Sequence, residues 1–143
     1  MNVEPQTGRR STSAIGAIAE LAVAAALTKN ECIVWVPFFS PHSRIDLAYQ
    51  NAGGAVRRVQ CKSAHRLGDV IGFYTCSRTG GVERDYIGEI DEFGVYSPDL
   101  GLVYLVPVEV AGARLTRLRL VPTRNNQRRG VRWAADYVLG PPW

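Results

Sequence analysis

The apolar positions of the chain predict one helix near its start and a series of strands after it. The stretch SAIGAIAELAVAAALT, residues 13–28, is apolar almost throughout, has a hydroxyl residue available as N-cap, and is followed by Asn30, which is placed to end it. The next apolar run, ECIVWVPF, residues 31–38, is short, rich in β-branched and aromatic residues, and closed by Pro37. We therefore expect a helix followed directly by a buried strand.

The rest of the chain predicts a sheet. Residues 45–49 and 56–63 alternate apolar and polar positions around a glycine turn, which predicts a β-hairpin. Further strands are expected at residues 70–76, 92–96, 102–108 and 114–120, and a short closing helix at residues 133–139. With 143 residues and no repeat or long linker, the sequence predicts one α/β domain, an N-terminal helix followed by a mixed β-sheet with flanking short helices.

The hairpin carries polar side chains where a packed sheet needs apolar ones. If its turn centres on Gly53, paired positions sum to 106 and Asp46 lies opposite Gln60. Strand side chains alternate faces, so Lys62 shares the face of Gln60. Cross-strand Cβ atoms are about 4.5–5.5 Å apart, close enough for two oxygens to hold one ion. A solvated face with a salt bridge between Asp46 and Lys62 fits the same pattern, so the hairpin alone leaves both interpretations open.

Glu20 is the single polar residue between Ala14 and Leu27. A helix that is apolar all round is expected to be buried, and a buried carboxylate needs a partner. The sequence therefore favours a use for Glu20 inside the fold. The alternative is a glutamate at the rim of the core that meets water or an arginine.

The charges separate the C-terminal third of the chain from the rest. The net charge is +4, and all but two of the 17 basic residues are arginine. Residues 83–109 hold seven acids against Arg84 alone, whereas residues 113–135 hold seven arginines and no acid. A separate basic surface of this kind favours a polyanionic partner.

The basic segment LTRLRLVPTRNNQRRGVRW mixes arginine with side-chain amides. Arginine pairs with guanine edges and with phosphates, and asparagine and glutamine pair with adenine edges. A solvated run of charges on an edge strand is the alternative interpretation. The candidate DNA-binding residues are Arg117, Arg119, Arg124, Asn125, Asn126, Gln127, Arg128 and Arg129.

The cysteines and the apolar stretches exclude several other classes of protein. Three cysteines without CxxC spacing argue against a disulfide framework and against a zinc site. The longest apolar segment, residues 14–27, is shorter than the roughly 20 residues of a membrane span. We therefore expect a cytoplasmic protein that associates with the nucleoid when bound to DNA and makes no contact with a membrane.

These residues together resemble a known family. A helix with the lone Glu20, a strand, Asp46 on the next strand and QCK at residues 60–62 resemble the PD-(D/E)xK nuclease superfamily. The resemblance is greatest to the branch of group I intron-encoded homing endonucleases that has Gln-x-Lys in place of acid-x-Lys. The stretches YIGEIDEFGVYSPDLGLVYLVP and TRNNQRRGVRWAADY resemble that branch as well, so the similarity spans residues 13–137. The chain departs from the motif at Ile45, in place of proline, and at Gln60, in place of an acid.

The resemblance implies a restriction-endonuclease-like core and a metal-dependent DNA endonuclease. Glu20 would be the helix carboxylate, Asp46 the metal-binding acid, Gln60 the variant at the second acidic place and Lys62 the catalytic lysine. Magnesium prefers oxygen ligands, so Asp46, the Gln60 amide oxygen and the Cys61 backbone carbonyl are the expected ligands, with Glu20 acting through water or on a second ion. We expect manganese to substitute for magnesium.

The sequence also predicts an organisation and partners. Residues 1–12 are polar and hold Pro5 and Gly8, so we expect a flexible basic arm there. Residues 13–76 would form the catalytic core, and residues 83–143 a sheet extension with the DNA-binding segment. Double-strand cleavage of a specific DNA site by single-strand active sites calls for a homodimer or homotetramer. The alternatives are a Holliday-junction resolvase and a non-catalytic DNA-binding module with a degenerate metal site.

Overall fold

The computed structural model describes residues 8–143, so residues 1–7 of the expected basic arm lie outside the described part of the chain. One helix, α1 (Thr12–Lys29), opens this part. The Ser11 hydroxyl caps its first turn by accepting from the Ala14 amide (3.2 Å), and the Asn30 side chain ends it by donating to the Ala26 carbonyl (2.8 Å). The predicted helix and both of its caps are confirmed.

Eleven strands follow α1 and form three sheets. The main sheet has six strands in the order β1-β2-β3-β8-β9-β11, the second sheet has the order β10-β5-β4, and β6 pairs with β7. Within the main sheet β3 and β8 are parallel, and the other neighbours are antiparallel. The strands are β1 (Ile33–Trp35), β2 (Leu47–Gln50), β3 (Val56–Ser63), β4 (His65–Leu67), β5 (Val70–Tyr74), β6 (Ser77–Thr79), β7 (Val82–Arg84), β8 (Glu92–Ser97), β9 (Leu102–Pro107), β10 (Leu115–Arg119) and β11 (Val138–Gly140).

The β2–β3 hairpin has the register that the sequence predicts. Leu47 pairs with Val59, so paired positions sum to 106. One residue before β2, the Asp46 amide donates to the Val59 carbonyl (2.9 Å), which continues the pairing past the end of the strand. The hairpin therefore places Asp46 beside Gln60.

The main sheet separates two apolar cores. On one face α1 buries Ala19, Val23 and Leu27 against side chains such as Val59 of β3. On the other face, β8 and β9 pack against the second sheet, which contributes side chains such as Phe73. β3 continues almost directly into β4, so the strand that carries Gln60 and Lys62 links the main sheet to the second sheet.

Gly94 on β8 lies directly beneath α1. A Cβ atom at this position would lie 2.6 Å from Val23 Cγ1 and 3.0 Å from Val59 Cγ1, and both valines are fully buried. We expect Gly94→Ala to lower the free energy of unfolding by about 1–3 kcal/mol, because the added methyl group overpacks the core. Urea denaturation followed by circular dichroism measures the change.

Gly72 on β5 provides the matched control for this substitution. A Cβ atom there would meet its nearest neighbour at 3.7 Å, an ordinary contact distance. Gly72→Ala should change the free energy of unfolding by no more than about 0.5 kcal/mol. Equal losses at the two positions would contradict close packing of α1 on β8.

The predicted buried strand at residues 31–38 is wrong in extent and in burial. β1 has three residues and forms an edge of the main sheet, with Ile33 56% and Trp35 47% exposed. The chain leaves α1 through Glu31 in a left-handed conformation (φ 61°), so pairing with β2 begins only at Ile33. The apolar residues of this segment lie largely at the surface.

The expectation that α1 is buried all round is also wrong. Its sheet-facing side is buried, whereas Ala17, Glu20 and Leu21 are exposed. Small and apolar residues on the outer side made the two faces indistinguishable in the sequence. By length and composition α1 is the one helix in residues 8–143 that could span a membrane, a test that core helices of soluble proteins and signal sequences pass as well.

The closing helix expected at residues 133–139 is replaced by a 3-10 turn and a strand. The turn covers Ala134–Asp136, and β11 then pairs with β9 at the edge of the main sheet. This pairing with a distant strand overrides the local helical pattern. The 3-10 turn is also all that corresponds to the expected flanking short helices within residues 8–143.

Candidate active site

The centre of the site is the Asp46 carboxylate. Its Oδ2 atom accepts two hydrogen bonds, from the Gln60 side-chain amide (2.5 Å) and from the Cys61 backbone amide (2.7 Å). The Gln60 amide nitrogen also lies 3.4 Å from the Cys61 carbonyl oxygen. Three of the residues proposed from the sequence therefore contact one another.

Asp46 has an unusual electrostatic environment. The pKa of its carboxyl group is raised from 3.8 to about 6, mainly by burial and in smaller part by the nearby Glu20 carboxylate. The hydrogen bond from the Cys61 amide and the positive charge of Lys62 oppose this rise in pKa. A carboxylate that is costly to ionise in the metal-free protein has a clear electrostatic reason to attract a cation.

A cleft of about 350 Å³ separates α1 from the start of β2 and gives access to this carboxylate. Glu20 and Asp46 both line the cleft, and the small side chains Ala17 and Ala24 of α1 leave room between them. The exposed position of Glu20 suits a residue that meets solvent or a ligand in the cleft. Glu20 is therefore a surface residue that lines the same cleft as Asp46.

The oxygen atoms of this site suit a hard divalent cation. The Gln60 amide reaches both the Asp46 carboxylate and the Cys61 carbonyl, so a rotation of the amide would present its oxygen beside theirs. Within residues 8–143 no three side chains among histidine, cysteine, aspartate and glutamate cluster as metal ligands. The candidate ligand set therefore depends on an amide and a backbone carbonyl as well as on carboxylates.

The thiol of Cys61 takes no part in this arrangement. It is buried in the core beneath α1, and burial, with the neighbouring Asp46 charge, raises the pKa of the thiol well above its usual value. A thiol that stays protonated is a poor nucleophile. Cys61 contributes its backbone to the site and its side chain to the core.

Lys62 has a neighbour that the sequence did not indicate. Its Nζ atom donates to the Tyr86 hydroxyl (3.3 Å) and lies 4.9 Å from the centre of the Tyr86 ring. Arg44, two residues before Asp46, lies over the same ring at 3.9 Å. No local pattern marks these residues, because the contact between Lys62 and Tyr86 spans 24 positions of sequence.

The candidate DNA-binding residues lie on the second sheet and on the loop that follows β10. Arg117 is exposed, whereas Arg119 is partly buried, donates to the Val121 carbonyl (2.9 Å) and lies 3.8 Å from the Asp69 carboxylate. These two arginines therefore differ in their freedom to meet DNA. The exposed loop residues are Arg124, Asn125, Asn126, Gln127, Arg128 and Arg129.

Internal hydrogen bonds give this loop a defined shape. The Gln127 backbone amide donates to the Asn125 side-chain oxygen (3.2 Å), and the Thr123 hydroxyl donates to the Gln127 backbone carbonyl (3.2 Å). Asn126 adopts a left-handed conformation (φ 54°) at the tip. The loop and Trp133 enclose a cleft of about 250 Å³, so the amides and arginines are held on a shaped surface.

The described chain has a restriction-endonuclease-like fold, with one N-terminal helix followed by a mixed sheet. A carboxylate just before β2 contacts an amide on β3, and a second carboxylate on α1 lines the same cleft. A family model described as "PD-(D/E)XK endonuclease" matches residues 10–140, and the chain belongs to this family.

A solved structure supports the fold assignment. The bacterial homing endonuclease I-Ssp6803I superposes with a TM-score of 0.70 and 24% sequence identity, over 90% of this chain and 89% of that chain. At this identity the likeness shows the fold. The sequence comparison with curated proteins gave no match.

Proposed function

We propose that the protein is a metal-dependent DNA endonuclease of the homing type, in the branch with Gln-x-Lys at residues 60–62, that cleaves both strands of a specific site. The contact between Asp46 and Gln60 carries the proposal, because it joins an amide to a carboxylate of raised pKa that lines the same cleft as Glu20. Membership of the PD-(D/E)XK endonuclease family supports the same chemistry.

Each site residue has a proposed task in hydrolysis of the phosphodiester. Asp46, the Gln60 amide oxygen and the Cys61 carbonyl would hold magnesium, which when bound would supply Lewis-acid stabilisation of the phosphoryl oxygens. Glu20 orients water across the cleft. Lys62 offsets the negative charge that develops on the phosphate and orients the attacking water. Gln60 brings no charge of its own, so more of the affinity for the ion depends on Asp46.

A double-strand cut requires two such sites, so we propose a symmetric dimer or tetramer. The surface offers apolar side chains for subunit contacts near β1, where Phe38 and Phe39 are 86% and 89% exposed and Leu21 on α1 is 66% exposed. Sedimentation equilibrium of the purified protein, with and without duplex DNA, measures the assembly.

A plasmid nicking assay tests the proposed function directly. Supercoiled plasmid that carries a target recovered by selection should be linearised with magnesium or manganese and remain intact with EDTA. The same protein should cleave a four-way junction no faster than a linear duplex of the selected sequence. Cleavage of the junction alone would indicate a resolvase, and binding without cleavage in any metal would indicate a non-catalytic DNA-binding module.

The loop after β10 should carry sequence recognition. We expect simultaneous replacement of Asn125, Asn126 and Gln127 by alanine to cost about 1–3 kcal/mol per lost bidentate base contact on the selected site. The same change should have little effect on random DNA, because phosphate contacts remain. Fluorescence anisotropy titrations on both DNAs measure the difference.

Arginine substitutions on β10 provide the contrast. Arg117→Ala should weaken binding to both DNAs and reduce the slope of log affinity against log salt by about 1. Arg119→Ala should do less, because that guanidinium is engaged with Asp69 and with Val121. If the triple alanine variant lost equal affinity for both DNAs, the loop would be a backbone clamp with no role in sequence reading.

A further inference from the structure

Tyr86 lies in the segment between β7 and β8 and is almost completely buried, with 5% of its surface exposed. Its ring packs edge-on against Phe93 (5.6 Å between ring centres, 85° between planes). Despite this burial, the hydroxyl faces the Lys62 ammonium at 3.3 Å. The hydroxyl group of a buried tyrosine therefore contacts the lysine of the proposed active site.

Arg44 holds this ring against the site. Its guanidinium lies 3.9 Å from the Tyr86 ring centre, a distance typical of stacking and cation–π attraction. The guanidinium is itself fixed by Glu89 (2.8 Å between Nε and Oε2), by the Ser77 hydroxyl (2.7 Å) and by the Asp85 carbonyl. Arg44 and its three partners, together with Phe93 on the edge of the ring, therefore fix the position of the Tyr86 side chain.

A lysine side chain is long and loses substantial rotamer entropy when it is held in one place. The Tyr86 hydroxyl offers the Lys62 ammonium a fixed acceptor, and the centre of the ring lies 4.9 Å from Nζ, close enough to attract its charge. The ammonium has three N–H donors, and the contact with the hydroxyl uses one of them, so it can still donate to a further oxygen. A lysine that must contact a phosphate oxygen in one geometry needs both this restraint and this remaining donor capacity.

We propose that Tyr86 is a positioning residue that holds the Lys62 ammonium for the reaction, and that Arg44 fixes the Tyr86 ring in turn. The proposal rests on the nuclease function proposed above. It adds Tyr86 and Arg44 to the site. Both lie outside the motif, and contacts between segments distant in sequence bring them there.

The chain allows a direct test, because Lys29 and Lys62 are its two lysines. In protein labelled with 13C,15N-lysine, the ring current of Tyr86 should separate the ε-methylene proton signals of Lys62 from those of Lys29. Tyr86→Leu should move the Lys62 signal to the Lys29 position, and Arg44→Gln should move it part of the way. Tyr104→Phe, which removes a buried tyrosine hydroxyl from the same core, should leave both signals unchanged.

Cleavage kinetics provide the second readout. Tyr86→Phe keeps the ring and loses the hydroxyl, so we expect kcat to fall about tenfold with KM within a factor of about two, and Tyr104→Phe to cleave normally. In a Lys62→Ala background the phenylalanine substitution should cause no further loss, because the two side chains act as one unit.

Lys62 signals that match those of Lys29 in the wild-type protein would overturn the proposal. So would an undiminished tenfold loss from Tyr86→Phe in the Lys62→Ala background. The magnetic resonance measurement does not depend on cleavage. A protein that never cleaves DNA would therefore overturn the proposed nuclease function, while the lysine signals would still decide whether Tyr86 positions Lys62.

Discussion

Replacing Asp46 by asparagine is expected to reduce DNA cleavage by a factor of about 10³ or more, equivalent to about 4 kcal/mol of transition-state stabilisation. Asp46 is the central carboxylate of the site, and the neighbouring Gln60 cannot replace its charge. The substitution should also weaken the binding of magnesium, which isothermal titration calorimetry measures without any cleavage. Asp136→Asn, the same substitution at an exposed aspartate, is the matched control and should change neither quantity.

In EDTA, the Asp46→Asn variant should be at least as stable as the wild-type protein. Asparagine keeps an oxygen that can accept from the Cys61 amide, and it removes a carboxylate that burial and Glu20 make costly to ionise. A shift of 2 pKa units corresponds to about 3 kcal/mol, and partial exposure of the group reduces the expected gain in free energy of unfolding to about 1–2 kcal/mol.

The gain in free energy of unfolding from Asp46→Asn should depend on pH in a defined direction. Because the folded-state pKa of Asp46 is raised from 3.8 to about 6, the folded wild-type protein holds a proton that the unfolded chain releases in this range. The stability of the wild-type protein relative to the variant should therefore fall as the pH rises from about 4 to 6 and stay level above that. Urea denaturation at several pH values measures the difference, and a large loss of stability in the variant at pH 7 would favour a structural salt bridge.

The centre of the site could be predicted from the sequence because it depends on local geometry. A glycine turn and alternating positions fix the register of one hairpin, and that register places Asp46 beside Gln60. The order of strands that completes the sheet is not local. β3 pairs in parallel with β8, more than 30 residues away, and no pattern within either strand specifies the other.

The surroundings of the site were missed for the same physical reason. Tyr86 accepts a hydrogen bond from Lys62, and Arg44 stacks on Tyr86, so both contacts join segments that are distant in sequence. The exposure of Glu20 was misjudged because alanine, glycine and leucine on the outer side of α1 look like core residues in the sequence. The ion pair between Arg119 and Asp69 arises where the turn after β4 meets β10, a meeting that only the folded second sheet brings about.

Replacing Lys62 by methionine is expected to reduce cleavage by a factor of about 10² or more, equivalent to about 2.7 kcal/mol, while DNA affinity stays near that of the wild-type protein. Methionine keeps an unbranched stem that can pack beside Tyr86 and loses the ammonium, so the variant separates charge from packing. Lys62→Ala should give a similar loss of cleavage.

The second lysine of the chain supplies the control for this substitution. Lys29 lies at the end of α1, where its Nζ atom donates to the Pro141 carbonyl (3.2 Å), so Lys29→Met removes the same charge away from the site and should cleave normally. Single-turnover cleavage separates the chemical step from DNA binding, which anisotropy measures in EDTA. Wild-type cleavage by Lys62→Met would remove Lys62 from the mechanism, whereas equal losses of affinity and of rate would show that its charge binds the ground-state phosphate. A selective loss of rate requires that the ammonium act on charge that develops only in the transition state.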